Sequence, residues 1–173
     1  MKGYVPIRVE GVIKALRKGD VKELRKISDR ILAEGAVAHD KNLVRLSVAI
    51  HSLAKIAEKD YYRKNRELWK KFLDDVEESL RIYEKTGDVE MLEEVIVDFD
   101  RHFGRYTPNV LEISTIRRGS TLDAGGISLT LASKLVDVPE IEILKHIGKT
   151  RVVDEDGVSK AVEKRLRDAE EVL

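Results

Sequence analysis

Asp98, Asp100 and His102 lie together in the chain and have chemistry to offer. Asp98 and His102 stand at i and i+4, so on a helix they share a face, a spacing able to ligate a metal for metal-dependent hydrolysis. A solvated Asp–His ion pair accounts for the same two residues. A second group, Arg117-Arg118-Gly119-Ser120-Thr121 followed by Asp123, combines cations with small residues that expose backbone N–H groups to a phosphate. It lacks the Gly-Lys-Ser/Thr ending of a phosphate-binding loop, and Ser120 as a helix N-cap with Asp123 as its box partner explains the same residues at lower cost, so the cap is the favoured reading. Of the remaining histidines, His39 precedes Asp40, and His51 lies on a mostly apolar segment where it reads as buried and hydrogen-bonded. No Ser-His-Asp order, dinucleotide fingerprint or matched carboxylate pair stands out, so catalysis ranks behind regulation and interaction; no cofactor and no metal site is assigned.

The elements that must position these groups are helices. Apolar residues recur at a period of 3.6, and only 3 Pro interrupt 173 residues. The spacing predicts a first helix after Pro6 carrying Val9, Val12, Ile13 and Leu16, closed by Gly19, and a second capped by Asp20 with Glu23 and ending near Gly35. A third, over residues 41–59, is apolar around most of its circumference and so central. A fourth runs over residues 60–85, with Trp69, Phe72, Val76, Leu80 and Tyr83 at 3–4 spacing; this stripe suits a partner helix in this chain or in another copy. Gly87-Asp88 opens a fifth. The match of Gly19-Asp20-Val21-x-x-Leu24 to Gly87-Asp88-Val89-x-x-Leu92 is what C-cap and N-cap chemistry selects at any helix-to-helix turn, and the markers of tetratricopeptide-like arrays are not met. Residues 104–108 are the clearest break, and a terminal helix carrying Val158, Ala161, Val162, Leu166 and Ala169 is expected to pack back on the body.

Charge sets limits on partners. Lys+Arg and Asp+Glu are both 32, so no net field draws the whole molecule to nucleic acid or an anionic membrane. Residues 105–151 carry 7 basic against 5 acidic side chains, a weakly positive window permissive for phosphate binding. The sequence has no Cys and no Gln, 3 Asn and 37% charged residues, which removes thiolate sites and matches the composition of hyperthermophile proteins. A melting midpoint well above the mesophile range of about 45–65 °C is expected, and a thermal melt inside that range overturns the expectation. The start lacks an apolar signal core and no run approaches transmembrane length, so a cytoplasmic protein with no membrane partner is expected.

Residues 126–147 spell out two short helices around a tight turn: Ser128 as cap, Leu129, Ala132, Leu135 and Val136 inward, Asp137-Val138 turning, and Pro139 opening the next helix. This segment resembles the helix-turn-helix of small prokaryotic antitoxins and regulators, whose pattern runs close to Ile-Ser-Leu-x-x-Ala-Ala-x-Leu-Leu-Gly-Ile-Ser. Ile127-Ser128-Leu129, Ala132, Leu135, Val136 and Val138 match, while Asp137 stands at the turn Gly and Glu140 and Glu142 open the second helix. The resemblance implies a non-enzymatic regulator contacting DNA through Arg117, Arg118, Ser128, Lys145, His146, Lys149 and Arg151, and protein through the helical body. A protein-interaction adaptor without DNA binding is the alternative, and a metal-dependent hydrolase using Asp98 and His102 the third. His39-Asp40 is similar to the pair of metal-dependent phosphohydrolases, but the upstream His of that family is absent.

The expected architecture is therefore all-α, a helical bundle of about seven or eight helices with a C-terminal helix-turn-helix-like unit. Residues 1–104 form the bundle and 105–173 the smaller unit, as two parts or as one continuous domain. A protein partner or a second copy in a homodimer is expected, with DNA a candidate.

Overall fold

The computed structural model describes residues 9–104 and 109–148. Among these every regular element is helical: α1 (Val9–Lys18), α2 (Val21–Ala38), α3 (Lys41–Glu58), α4 (Asp60–Arg63), α5 (Arg66–Thr86), α6 (Glu90–Phe103), α7 (Val110–Ala124), α8 (Leu129–Val136) and α9 (residues 140–148). Pro6, the 104–108 break beyond Gly104 and the expected terminal helix from Val158 lie outside the described residues, as do Lys149 and Arg151.

Capping chemistry punctuates the chain. Gly19 (φ 68°) and Gly87 (φ 73°) take the left-handed conformation that costs a side chain energy, and Asp20 accepts from the Glu23 N–H at 3.0 Å. The long fourth helix is in fact two. Asn65 leaves the helix to accept from the Leu68 N–H at 3.1 Å, so the short α4 stops and α5 restarts under a new cap. An Asn side chain that competes with the helical backbone outweighs the continuous apolar spacing.

Gly35 departs from its expected role as a terminator. α2 runs on to Ala38 and ends with His39 left-handed, while Gly35 sits buried within the helix. A Cβ at residue 35 would lie 3.0 Å from Leu43 Cβ, Val44 Cγ2 and the Val44 backbone N, so the absence of a side chain is what lets α2 and α3 close on each other. The connection between them is only His39 and Asp40, and the Asp40 carboxylate caps α3 at the Asn42 and Leu43 N–H groups. A turn this short makes them an antiparallel hairpin.

α3 is the central helix, packed against α1, α2, α4, α6, α7 and α8. Its apolar circumference supplies Leu46, Ile50, Leu53 and Ile56 to the main core, together with Leu24 and Ile31 of α2, Phe72, Val76 and Leu80 of α5, and Leu92 and Ile96 of α6. A smaller cluster joins Leu32, Ala36 and Val44 of the α2–α3 hairpin to Leu122, Ala132, Leu135, Val136 and Ile143. Within it Gly119 of α7 admits Ile143 of α9: a Cβ there would meet Ile143 Cδ1 at 2.8 Å.

The Trp69 stripe is turned into this bundle. Phe72, Val76, Leu80 and Tyr83 are each no more than 2% exposed, Trp69 packs partly buried beside them, and Phe72 stacks on Phe99 with ring centroids 3.9 Å apart. The partner helices it fits are α1 and α6 of the same chain, so these residues carry packing and not an outside surface. No described helix is long and apolar enough to cross a membrane.

Candidate functional site

Where α2, α3 and α7 meet, the core turns polar. α2 presents Arg25, Ser28 and Asp29 at i, i+3 and i+4; α3 presents Ser47, His51 and Lys55 at successive i+4 positions; α7 presents Arg117 and Arg118. The buried face of α7 is Ser114, Arg118, Gly119 and Leu122. Arg118 is only 4% exposed, and its guanidinium donates to Asp29 Oδ1 at 2.5 Å, Ser28 Oγ at 2.6 Å and His51 Nδ1 at 2.8 Å. Ser28 and Ser47 complete the network by each donating to the other's carbonyl, at 2.8 and 2.9 Å.

A guanidinium has donors and no acceptor, so His51 Nδ1 accepts and the imidazole proton sits on Nε2. Burial, then the neighbouring Arg118 and Lys55 charges, push the His51 imidazole down to about 3, so it is neutral at physiological pH. Burial followed by Arg117, Lys59, Arg118 and Arg25 pushes the Lys55 ammonium down to about 8. Two buried donors of the network, His51 Nε2 and Arg118 Nε, have no hydrogen-bond partner among the described residues. An unmet buried donor costs about 1–3 kcal/mol, which sets this cluster apart from the rest of the core.

A second buried polar group is fully used. Asp100 accepts from the Tyr62 hydroxyl and, at 2.8 Å, from the Val110 N–H at the start of α7. Burial and the Asp100 carboxylate raise the Tyr62 phenol above its usual range. Asp100 therefore ties α4 and α6 to the head of α7 and holds the helix that carries Arg118.

The predicted site residues scatter. Arg118 points inward, whereas Arg117 on the next position is exposed. Ser120 is no N-cap: it lies within α7 and donates to the Ile116 carbonyl at 3.2 Å, the cap being Asn109 in a reciprocal box with Glu112. Ser128 does cap α8, accepting from the Leu131 N–H at 3.3 Å, and Asp137 turns the chain left-handed at φ 58°. The Ser128 hydroxyl is therefore engaged by its own helix. Lys145 is exposed and His146 half-buried on α9. Asp98 and His102 are both exposed, and Asp98 pairs with Arg101 at 3.0 Å instead of with His102. Among the described residues no three His, Cys, Asp or Glu side chains gather to hold a metal ion. His39 is an exposed helix cap, while His51 is buried and hydrogen-bonded as its apolar segment predicted.

On the outer side of α9, Ile141 is 56% and Leu144 47% exposed, one helical turn apart, while Ile143 between them is fully buried. Glu140, Glu142 and Lys145 surround that pair. Two open grooves elsewhere are lined by ion pairs already made, Arg17 with Asp74 and Glu77, and Arg45 with Glu93. No protein-family model, curated protein or solved structure matches the chain.

Proposed function

We propose that the protein is a non-enzymatic regulatory adaptor that docks a protein partner through the outer face of α9. The supporting observation is the exposure of Ile141 and Leu144 one turn apart, on a helix whose opposite face is anchored at Gly119. Exposed apolar side chains set among charges are the pattern of a docking helix. DNA is the second reading. The capped α8, the tight turn at Asp137 and the exposed Arg117, Lys134 and Lys145 favour it. Against it stand Glu140 and Glu142, which meet phosphates with the wrong sign at the entry to α9, and Arg118, which is committed inward to Asp29.

A second copy of the chain is the first partner to test. Sedimentation at rising concentration is expected to show a dimer, and Ile141→Ser with Leu144→Ser to return it to monomer. Anisotropy with labelled duplex DNA is expected to give no saturable binding at low salt. A monomer at every concentration removes self-docking, and tight binding that weakens steeply with salt replaces the adaptor reading with the DNA one.

A further inference from the structure

We propose that the junction of α2, α3 and α7 is a binding site for a phosphate-type oxyanion, inorganic phosphate or a small phosphomonoester, received by Lys55 and Arg117 beside the buried Arg118–His51 pair. Two independent deficits meet there. The first is of acceptors: Arg118 and His51, 4% and 7% exposed, carry the unmet Nε–H and Nε2–H donors. The second is of negative charge. Arg25, Lys59, Arg117 and Arg118 all act on Lys55, and the carboxylates ion-paired within this group are Glu58 with Arg25 at 2.8 Å and Asp29 with Arg118 at 2.5 Å. Neither Lys55 nor Arg117 has a carboxylate within ion-pair distance among the described residues.

A water molecule answers the first deficit and leaves the second; chloride answers the charge with one weakly accepting centre. A phosphate answers the charge deficit with between one and two negative charges at neutral pH, and its several acceptor oxygens reach the buried donors through bridging water. The half-buried Lys55 ammonium supplies a point charge, and the exposed Arg117 guanidinium a fork that matches two phosphate oxygens. Lys55 lies one turn from His51 on α3, so the inner donors and the outer cations belong to one stretch of the helical junction.

The test is titration of the full chain with inorganic phosphate and, separately, adenosine 5′-monophosphate, at ionic strength held constant with chloride. Binding is read by the melting temperature and by NMR of the Lys55 ammonium and the His51 ring. A saturable rise in melting temperature with movement of both signals is expected. Lys55→Met is expected to weaken binding at least tenfold, as is Arg117→Gln, while Lys22→Met on the exposed part of α2 leaves it unchanged. Lys55→Met replaces a half-buried charge by an apolar side chain of similar length, so it keeps the fold. Tighter binding of the nucleotide than of phosphate identifies a phosphomonoester site; the reverse identifies the free ion. Absence of saturation with both probes, or equal binding by wild type and Lys55→Met, overturns the site. Neither result depends on whether α9 docks a partner.

Discussion

Gly35→Ala is expected to destabilise the protein, although Ala at a helix interior normally stabilises by about 1 kcal/mol relative to Gly. Residue 35 lies inside α2, so propensity alone gives the opposite sign. The decisive quantity is space: the added methyl would stand 3.0 Å from the Val44 backbone N as well as from Leu43 Cβ and Val44 Cγ2. A flexible side-chain end moves aside cheaply, but a backbone N at the head of α3 moves only if the helix moves. That head is held by the Asp40 cap and by a connection of His39 and Asp40 alone. Overpacking of this kind costs about 1–3 kcal/mol, enough to cancel the propensity gain and leave a net loss. Gly35→Val adds two more carbons and a stiff rotamer, and its loss is expected to reach about 3 kcal/mol. Urea unfolding of the variants against wild type gives the sign directly, and a higher midpoint for Gly35→Ala means the hairpin opens without cost.

The same residue shows where the sequence was legible and where it was not. Helix order follows from apolar period and caps, because burial of one face and satisfaction of end groups are local in sequence; the count does not, since nine helices stand among the described residues where about seven or eight were expected. Gly19, Gly87 and Ser128 are therefore read correctly from their neighbours. Gly35 is not, since its purpose is contact with residues on another helix, which looks in sequence like a stop. Asn65 is the reverse case: one strong N-cap side chain interrupts a long apolar stripe. α7 hides most, because its inward face is Ser114, Arg118, Gly119 and Leu122, with no apolar period to mark it. Read as a loop before a cap, Arg118 looks like a free cation; read on α7, it is committed to Ser28, Asp29 and His51.

That commitment also changes what His51 is for. Sequence reading finds a histidine in an apolar helix and expects a partner, but the partner is an arginine, which only a neutral imidazole can serve. A charged Arg118 buried beside a charged His51 would be two like charges in a medium that screens them poorly. α2 supplies Asp29 to balance Arg118, and the one carboxylate of α3, Glu58, is already paired with Arg25, so nothing is left to balance a second cation.

A stability loss on mild acidification follows from this arrangement, and its sign is fixed. The unfolded chain protonates His51 near pH 6.5, whereas the folded chain resists until about pH 3 because of burial and the charges of Arg118, Lys55 and Arg117 with Arg25 across the junction. Between these values the unfolded state binds the extra proton, so folding free energy contributed by neutral His51 is complete above pH 6.5 and is lost as pH falls toward 3. At pH 5, about 1.5 pH units into that window, the loss is about 2 kcal/mol. His51→Asn keeps an acceptor near the Nδ1 position for Arg118 but cannot take up a proton. Relative to wild type, the variant is therefore expected to lose less stability between pH 7 and pH 5, by about 2 kcal/mol. His39, His102 and His146 are present in both chains and cancel in the comparison. Urea unfolding in phosphate-free buffer measures it, since a bound oxyanion beside Lys55 would favour the charged imidazole. Parallel pH profiles for the two chains would show that His51 takes up its proton without cost, and with it that Arg118 has another acceptor.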